Sequence, residues 1–380
     1  MTGKLIHMKK QLANMVLVLV SLVCGLLFVE LGLGLLEKGA LYKSGISRIS
    51  DPVLKYRLPP HLFPEIDSKG FRNKSGNDPF DVVILGDSHA YGYGVEAQHN
   101  FPEQFSKLTG LSSYNYGMGG YGPAQYAFLA GPALEKTPKT LVVSIFMGND
   151  LLDACEIANE QAYWKKYFDE KGLSSERCGN RLLPFDQDLK PGGQWLASRM
   201  KAFIKGTRVG SLLNHHIWLP LRGWWQLNVQ ARNDETVLPV DDKVVTSLFR
   251  VWPNHTPKAK EGMNITQHML QRILAASRQM NTRVVLLVIP SKQNVYFEYL
   301  HAAGYRLPQF FAESVEAERA YSTRLISFVT KQGGTGISAF ERLTSLVDQG
   351  LEIYPVDDDS HPKSIGYLQY AKTLASVLRN

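Results

Sequence analysis

The sequence is poor in cysteine and in charge. Only three of its 380 residues are cysteine, Cys24, Cys155 and Cys178, and none lies in a Cys-x-x-Cys pair or a Cys/His cluster of zinc-ligand spacing. This excludes a disulfide scaffold, and we expect neither a structural metal nor a cofactor. Charged residues make up 20% of the chain, which excludes a disordered polyelectrolyte. The 44% hydrophobic content suits one large domain with insertions or two ordinary domains.

A single long apolar run lies near the amino end. Residues Gln11–Val29 carry no charge, and at about 1.5 Å per residue they reach roughly 28 Å, close to the thickness of a bilayer's hydrocarbon layer. Lysines precede this run and Glu30 and Glu37 follow it. We therefore expect residues 11–36 to be a single-pass anchor in a bacterial inner membrane, with residues 1–10 in the cytoplasm and the remainder in the periplasm or exterior. A cleaved signal peptide is the alternative, but no small-x-small site follows Glu30.

The exported part would hold two of the cysteines, Cys155 and Cys178. An oxidising compartment permits them to form one disulfide. Their separation in the sequence does not by itself show the pairing.

Residues 37–78 contain prolines and are predicted to form a spacer. Residues 79–380 have the sequence pattern of an α/β domain. Three short apolar runs, Val82–Leu85, Leu141–Phe146 and Val284–Ile289, predict strands buried on both faces. Their alternation with helical segments predicts a parallel sheet with helices on both faces. The other predicted elements are a strand at Ser113–Tyr116 and helices at Pro102–Leu108, Pro123–Glu135, Ile265–Gln279 and Pro362–Leu378.

A helical insertion at about residues 153–260 interrupts this alternation. From Lys190 to Trp225 it has six lysines or arginines, no acidic residue and four interleaved tryptophans. Such a face can rest on an anionic membrane or hold an acidic polymer. The alternative is a helical cap whose tryptophans fill a satellite core. Nucleic acid is not expected as a partner in this compartment.

Polar residues of the types used in nucleophilic catalysis follow the apolar runs. Ser88 comes directly after the first strand, at the edge where open parallel sheets bind ligands. A serine hydroxyl needs a base and a group that orients the base, and Asp358 and His361, three residues apart before the last helix, supply both. Donors for an oxyanion are offered by the loop Asn115–Gly120 and by the side chain of Asn149. Each motif alone has an ordinary explanation as a turn or cap, but four in this order favour an acyl-transfer site.

These four segments resemble the SGNH/GDSL hydrolase family, over about residues 70–150 and the last thirty or so. The resemblance implies a flavodoxin-like α/β/α sandwich with a parallel five-stranded sheet. It also implies that Ser88 is the nucleophile, that His361 is the base and that Asp358 orients it, with Asp357 or Asp359 as alternatives. The oxyanion hole would consist of Ser88, Gly120 and Asn149. Gly117 is a second candidate for the glycine amide.

Three further segments stand out. His89, next to Ser88, is interpreted as a pocket or packing residue. Gly70–Asn73 resembles a lead-in found in membrane-anchored members of the family, and Val288–Lys292 resembles a segment of relatives involved in polysaccharide acetylation.

The sequence leaves three functions open. The first is an anchored esterase that removes acyl groups from a glycan or lipid ester. The second is an O-acyltransferase that acetylates an exported polysaccharide through the same site and needs a membrane acyl-exporting partner. The third is a non-enzymatic carbohydrate-binding or assembly factor on the same fold.

Overall fold

The computed structural model describes residues 48–73, 79–173, 254–305, 309–355 and 359–378, together with segments 237–240 and 244–247 and a few isolated positions. Most of the predicted anchor and most of the Lys190–Trp225 stretch lie outside these residues. None of the helices within the described residues is long and apolar enough to cross a membrane.

Five strands form a parallel sheet, as predicted. The described strands are β1 (Ile49–Asp51), β2 (Lys55–Arg57), β3 (Val82–Leu85), β4 (Ser113–Asn115), β5 (Thr140–Phe146), β6 (Val237–Val240), β7 (Val244–Ser247), β8 (Arg283–Ile289) and β9 (Thr335–Ser338). The parallel sheet has the order β4-β3-β5-β8-β9. Strands β1 and β2 pair antiparallel, as do β6 and β7. All residues of β3 and β5 are buried, which explains their continuous apolar sequences.

Helices cover both faces of this sheet and complete a three-layer α/β/α arrangement. On one face, Val82 and Ile84 pack in a cluster with Phe105 of helix α2 (Phe101–Thr109) and Leu374 of helix α10 (Ser364–Leu378). Helices α3 and α6 contact the sheet through β3, β5 and β8. The described α-helices are α1 (Ser88–Tyr91), α2 (Phe101–Thr109), α3 (Pro123–Leu134), α4 (Asp150–Glu160), α5 (Ala162–Glu170), α6 (Pro257–Gln279), α7 (Lys292–Ala302), α8 (Gln309–Lys331), α9 (Phe340–Asp348) and α10 (Ser364–Leu378).

The sequence missed part of the second half of the domain. Helix α6 begins at Pro257, well before the predicted Ile265, because the Thr256 hydroxyl caps it and Pro257 takes its first position. Elements α7, α8, β9 and α9 were not predicted individually. The fifth strand, β9, has a central glycine, Gly336, and is only half-buried, so it lacks the apolar run that marks the other strands.

A smaller core lies at the start of the insertion. Trp164 and Phe168 of α5 pack with Cys155 of α4 and with Cys178. These cysteines form a disulfide, with an S–S distance of 2.05 Å. The indole nitrogen of Trp164 donates to the carbonyl of Val53 at 2.8 Å. The first part of the insertion is therefore fixed to the domain by packing and by the hydrogen bond to Val53, and the disulfide joins two residues within the insertion.

Helix α6 crosses α4 at a contact that only glycine allows. A Cβ atom at Gly262 would lie 1.7 Å from the carbonyl oxygen of Leu151, a backbone atom that cannot turn aside. We expect Gly262→Ala to lower the free energy of unfolding by about 1–3 kcal/mol through overpacking, although alanine is the better helix former. Denaturant unfolding measures this change.

Gly131 of α3 is the matched control. It is a helical glycine with no atom within 4 Å of the position of an added Cβ. Gly131→Ala should change the free energy of unfolding by no more than about 1 kcal/mol. Equal effects of the two substitutions would mean that the α4–α6 contact is not as tight as described.

Candidate active site

Strand β3 delivers Ser88 to the carboxyl edge of the sheet. Gly86 and Asp87 make the turn out of the strand, and Ser88 is the first residue of α1. The Asp87 carboxylate accepts a hydrogen bond from the backbone N–H of His89 at 2.9 Å. Asp87 therefore fixes the turn, and Ser88 remains half-buried above it.

Ser88, His361 and Asp359 form a continuous chain of hydrogen bonds. His361 Nε2 lies 2.7 Å from Ser88 Oγ, and His361 Nδ1 lies 2.6 Å from Asp359 Oδ1. A carboxylate only accepts hydrogen bonds, so the proton of a neutral His361 ring lies on Nδ1 and Nε2 is free to accept. The Ser88 hydroxyl therefore donates to the imidazole. Its other acceptor, Asp87 Oδ2, is more distant at 3.4 Å.

The aspartate that orients His361 is Asp359 rather than Asp358. Asp359 Oδ1 accepts from both the ring Nδ1 and the backbone N–H of His361, the latter at 3.0 Å. Asp359 and His361 are two positions apart in the chain, which allows one carboxylate oxygen to reach both nitrogens. Asp358 and Asp357 lie outside the described residues. The residue preferred from the sequence, Asp358, is thus one position before the aspartate that bonds to His361 Nδ1.

Charge keeps Asp359 ionised. Burial by itself would raise the pKa of this carboxyl. The positive charge and hydrogen bonds of His361, with a smaller contribution from the charge of Lys292, outweigh burial and hold the pKa well below its usual range. The carboxylate is thus available to stabilise a positively charged imidazole ring.

The loop after β4 distinguishes the two glycine candidates. The backbone N–H of Gly117 already donates to Asn115 Oδ1 at 2.7 Å, and an added Cβ there would lie 2.5 Å from the backbone nitrogen of Tyr91. Gly117 is thus used for close packing against α1. Gly120 is exposed at the turn, with a left-handed φ of 73°. Of the two amides, that of Gly120 is the one open to a ligand.

Asn149 follows β5 and occupies the N-cap position of α4, but its side chain does not cap the helix. Its Nδ2 instead donates to Asp153 Oδ2 at 2.8 Å. Its Oδ1 is buried and has no hydrogen-bond partner among the described residues. One Nδ2 hydrogen remains for another acceptor, because an amide nitrogen carries two. The sequence analysis did not identify Asp153, which fixes this amide.

Two buried carboxyls lie below the strand ends. Asp87 and Asp150 are both 0% exposed. Burial, followed by the charge of Asp87, raises the pKa of Asp150 well above its usual range, even though Tyr126 and the N–H of Phe146 donate to it. Burial also raises the pKa of Asp87, to about 6. The environment below the strand ends thus disfavours negative charge.

His89 packs behind His361, which agrees with its interpretation as a pocket or packing residue. Its buried ring lies 3.9 Å from the ring of Phe146 and 4.9 Å from the ring of His361, centre to centre. Burial and the charge of His361 lower its pKa well below the ordinary value. A neutral His89 therefore supports the face of His361 without adding a second positive charge.

An arginine that was not assigned a role from the sequence holds the turn after Ser88. Arg72 is 3% exposed and pairs with Glu65 at 2.8 Å. Its guanidinium donates to the carbonyls of Gly92 at 2.8 Å and Val95 at 3.0 Å. The neighbouring Asn73 exchanges two hydrogen bonds with the backbone of Asn115. The lead-in segment Gly70–Asn73 thus ties the first two site loops together.

Comparisons with known proteins give distant structural likenesses only. A protein described as lipolytic and of the G-D-S-L family, from Desulfitobacterium hafniense, is 10% identical with a TM-score of 0.38, over 78% of this chain and 98% of its own. An acetylxylan esterase from Geobacillus stearothermophilus is 7% identical with a TM-score of 0.39, over 80% and 97%. No family model and no curated protein matches the sequence. At such low scores these likenesses do not decide function, which must follow from the site geometry.

Among the described residues, no group of three or more His, Cys, Asp or Glu side chains is arranged to hold an ion.

The raised pKa of Asp87 predicts a pH-dependent stability. An unfolded aspartate titrates near about 3.9, whereas burial raises the pKa of Asp87 to about 6. The stabilisation from its bound proton is therefore full below about pH 4 and is lost as the pH rises through about 6. Asp87→Asn should remove this loss, so the free energy of unfolding of the variant should gain on that of the wild type between pH 4 and pH 6.

Asp81, at the other end of β3, is the control with opposite sign. The hydrogen bond from Lys139, followed by that from the backbone of Ser112, lowers the pKa of Asp81. Its contribution to stability is present above the unfolded pKa and is lost as the pH falls. Asp81→Asn should therefore reduce the loss of stability on acidification. The same pH trend in both variants would contradict the assignment for Asp87.

Proposed function

We propose that this chain is a serine ester hydrolase of the SGNH/GDSL type. The observation that carries the proposal is the hydrogen-bond chain from Ser88 through His361 to Asp359, with distances of 2.7 and 2.6 Å. A serine hydroxyl hydrogen-bonded to an imidazole that a carboxylate orients is the arrangement that activates serine as a nucleophile.

The geometry supports a two-step reaction. Ser88 Oγ attacks the carbonyl carbon of an ester while His361 Nε2 takes the hydroxyl proton, and the ionised Asp359 stabilises the resulting imidazolium. When the tetrahedral intermediate collapses, His361 returns the proton to the leaving alcohol and an acyl-enzyme remains. A water molecule, deprotonated by His361, then attacks the acyl carbon. When this second tetrahedral intermediate collapses, the bond to Ser88 Oγ breaks, His361 returns the proton to Oγ, and the acid is released.

We assign the oxyanion hole to three donors. These are the backbone N–H groups of Ser88 and Gly120 and the remaining Nδ2 hydrogen of Asn149. Asp153 orients that amide through its 2.8 Å hydrogen bond. The raised pKa of Asp150 favours the neutral form of that carboxyl near the strand ends, where an oxyanion would form.

The proposed substrate is an acylated glycan or lipid outside the cytoplasm. The apolar run Gln11–Val29 and the basic, tryptophan-rich stretch Lys190–Trp225 support a membrane-associated enzyme that acts on a large or amphiphilic substrate. Water is the proposed acyl acceptor. A sugar hydroxyl as acceptor, with an acyl-exporting membrane partner as donor, is an outcome that product analysis distinguishes.

The disulfide supports export, because such bonds persist in oxidising compartments. We expect Cys155 and Cys178 in the protein isolated from cells to resist a thiol-alkylating reagent until reductant is added, as read by mass spectrometry. Cys24 serves as the internal control, because it is a free cysteine. Alkylation of all three cysteines without reductant would contradict an extracytoplasmic location.

The test of function uses the full chain and a chromogenic acetyl ester. We expect Ser88→Ala to abolish measurable turnover. Asp359→Asn should lower kcat by about 10²–10⁴-fold, because it removes the carboxylate that fixes the His361 tautomer. Asp358→Asn is the matched control and should lower kcat by less than about threefold, since His361 Nδ1 already bonds to Asp359.

Product analysis in the presence of acetylated and unacetylated oligosaccharides completes this test. Free acetate as the serine-dependent product supports hydrolysis. Serine-dependent acetylation of the sugar that outcompetes hydrolysis would make the protein a transferase. Turnover that survives Ser88→Ala would refute both enzymatic functions, and a larger loss in D358N than in D359N would refute the assignment of Asp359.

A further inference from the structure

A fully buried lysine lies behind the loop that carries Asp359. Lys292 is 0% exposed and is the first residue of α7, directly after β8. Its Nζ lies 3.3 Å from the carbonyl oxygen of Pro355 and 3.4 Å from that of Asp359. It also lies 5.6 Å from the ring centre of Tyr354. The ammonium therefore contacts the backbone of both Pro355 and Asp359, two residues that precede His361 in the chain.

This placement does not serve the helix. A buried ammonium loses its hydration, which is costly unless donors and charge are compensated. The amino end of a helix also carries partial positive charge, so a lysine in the first turn is electrostatically unfavourable there. The compensation comes from outside α7, from two carbonyl oxygens and from the nearby Asp359 carboxylate, whose pKa the Lys292 charge helps to lower.

The backbone on either side of Lys292 is rigidly held. Ser291 caps α7 by accepting from the N–H of Asn294, and its own N–H and hydroxyl donate to Glu318 at 2.9 and 2.6 Å. Asn294 Nδ2 donates to the same carboxylate at 2.8 Å. Glu318 is 2% exposed. These bonds fix the start of α7. The backbone of Lys292 therefore keeps its position, and its ammonium stays next to Pro355 and Asp359.

We propose that Lys292 is a positioning residue: its buried ammonium holds the carbonyls of Pro355 and Asp359, and thereby keeps Asp359 bonded to His361 Nδ1 and His361 directed at Ser88. The proposal rests on the function proposed above for Ser88. Lys292 does not touch the reacting atoms in this account and takes no proton during the reaction.

The test compares two substitutions at Lys292 in the full chain. Lys292→Met keeps most of the length and the apolar stem but removes the ammonium, whereas Lys292→Gln keeps a donor without the charge. Three readouts are taken: kcat and KM on the chromogenic acetyl ester, the unfolding midpoint, and the far-downfield proton resonance expected from the short bond between His361 Nδ1 and Asp359.

Lys136 provides the matched control. It is also a buried lysine, 7% exposed, with its ammonium 4.2 Å from the ring centre of Tyr114. It precedes β5, at the opposite edge of the sheet from Ser88. Lys136→Met therefore measures what removal of a buried, ring-stacked ammonium does to stability alone.

We expect Lys292→Met to lower kcat by about 10- to 100-fold, the loss typical of a misplaced catalytic group. KM should be nearly unchanged, and the downfield resonance should shift or disappear. Lys292→Gln should show a smaller loss in the same direction. Lys136→Met should lower the unfolding midpoint at least as much as Lys292→Met does, while leaving kcat within about twofold and the resonance in place.

The proposal is overturned if Lys292→Met retains both kcat and the resonance, or if both lysine variants lose activity in proportion to stability. If Lys292→Met does not fold, Lys292→Gln decides the question by the same criteria. Wild-type protein without serine-dependent turnover would refute the proposed esterase function. The resonance would still report whether Lys292 holds the His361–Asp359 pair.

Discussion

The hydrogen bond between Ser88 and His361 joins residues 273 positions apart, and the site depends on it. Parallel strands bring their carboxyl ends to one edge, which places Ser88, but His361 precedes the final helix and needs its own support. That support is visible in two long-range bonds: Tyr367 of α10 donates to the carbonyl of Tyr93 at 2.9 Å, and Gln104 of α2 donates to that of Ser364 at 3.1 Å. The packing of α10 on α2 therefore fixes the 2.7 Å distance on which proton transfer depends.

The burial of ionisable side chains is the second constraint. Arg72, Asp87, Asp150 and Lys292 are all at most 3% exposed, and each lies against a loop of the site. Their polar bonds go largely to backbone groups of those loops rather than to solvent. Removing one partner of such a contact leaves the other buried without compensation, which typically costs about 3–5 kcal/mol for an ion pair. These buried contacts therefore hold the site loops in one arrangement. Such an arrangement favours an oxyanion hole whose hydrogen-bond donors are in place before the substrate binds.

The sequence predicts the parts of the fold whose signals are local. Continuous apolar runs identify β3, β5 and β8, and the residues that follow the runs identify Ser88 and Asn149. Three adjacent aspartates, 357–359, offer nearly equal spacing to His361, so sequence alone does not choose Asp359. Strand β9 lacks an apolar run because it lies at the sheet's edge. The role of Lys292 depends on contact with Pro355 and Asp359, which lie 63 and 67 residues further along the chain. No periodicity predicts such an approach.

Helix α4 links the oxyanion loop to the insertion, but the two ends of the helix are held separately. At its start, the N–H of Phe146 bonds to Asp150 at 3.0 Å and Asn149 bonds to Asp153 at 2.8 Å. Further along, Cys155 is bonded to Cys178, and Leu151 packs on Gly262 of α6. The polar bonds at the start use carboxylates of the first turn and do not involve the disulfide. Asn149 is therefore oriented by contacts that do not depend on the disulfide, and the α4–α6 packing holds the same turn of the helix from the other side.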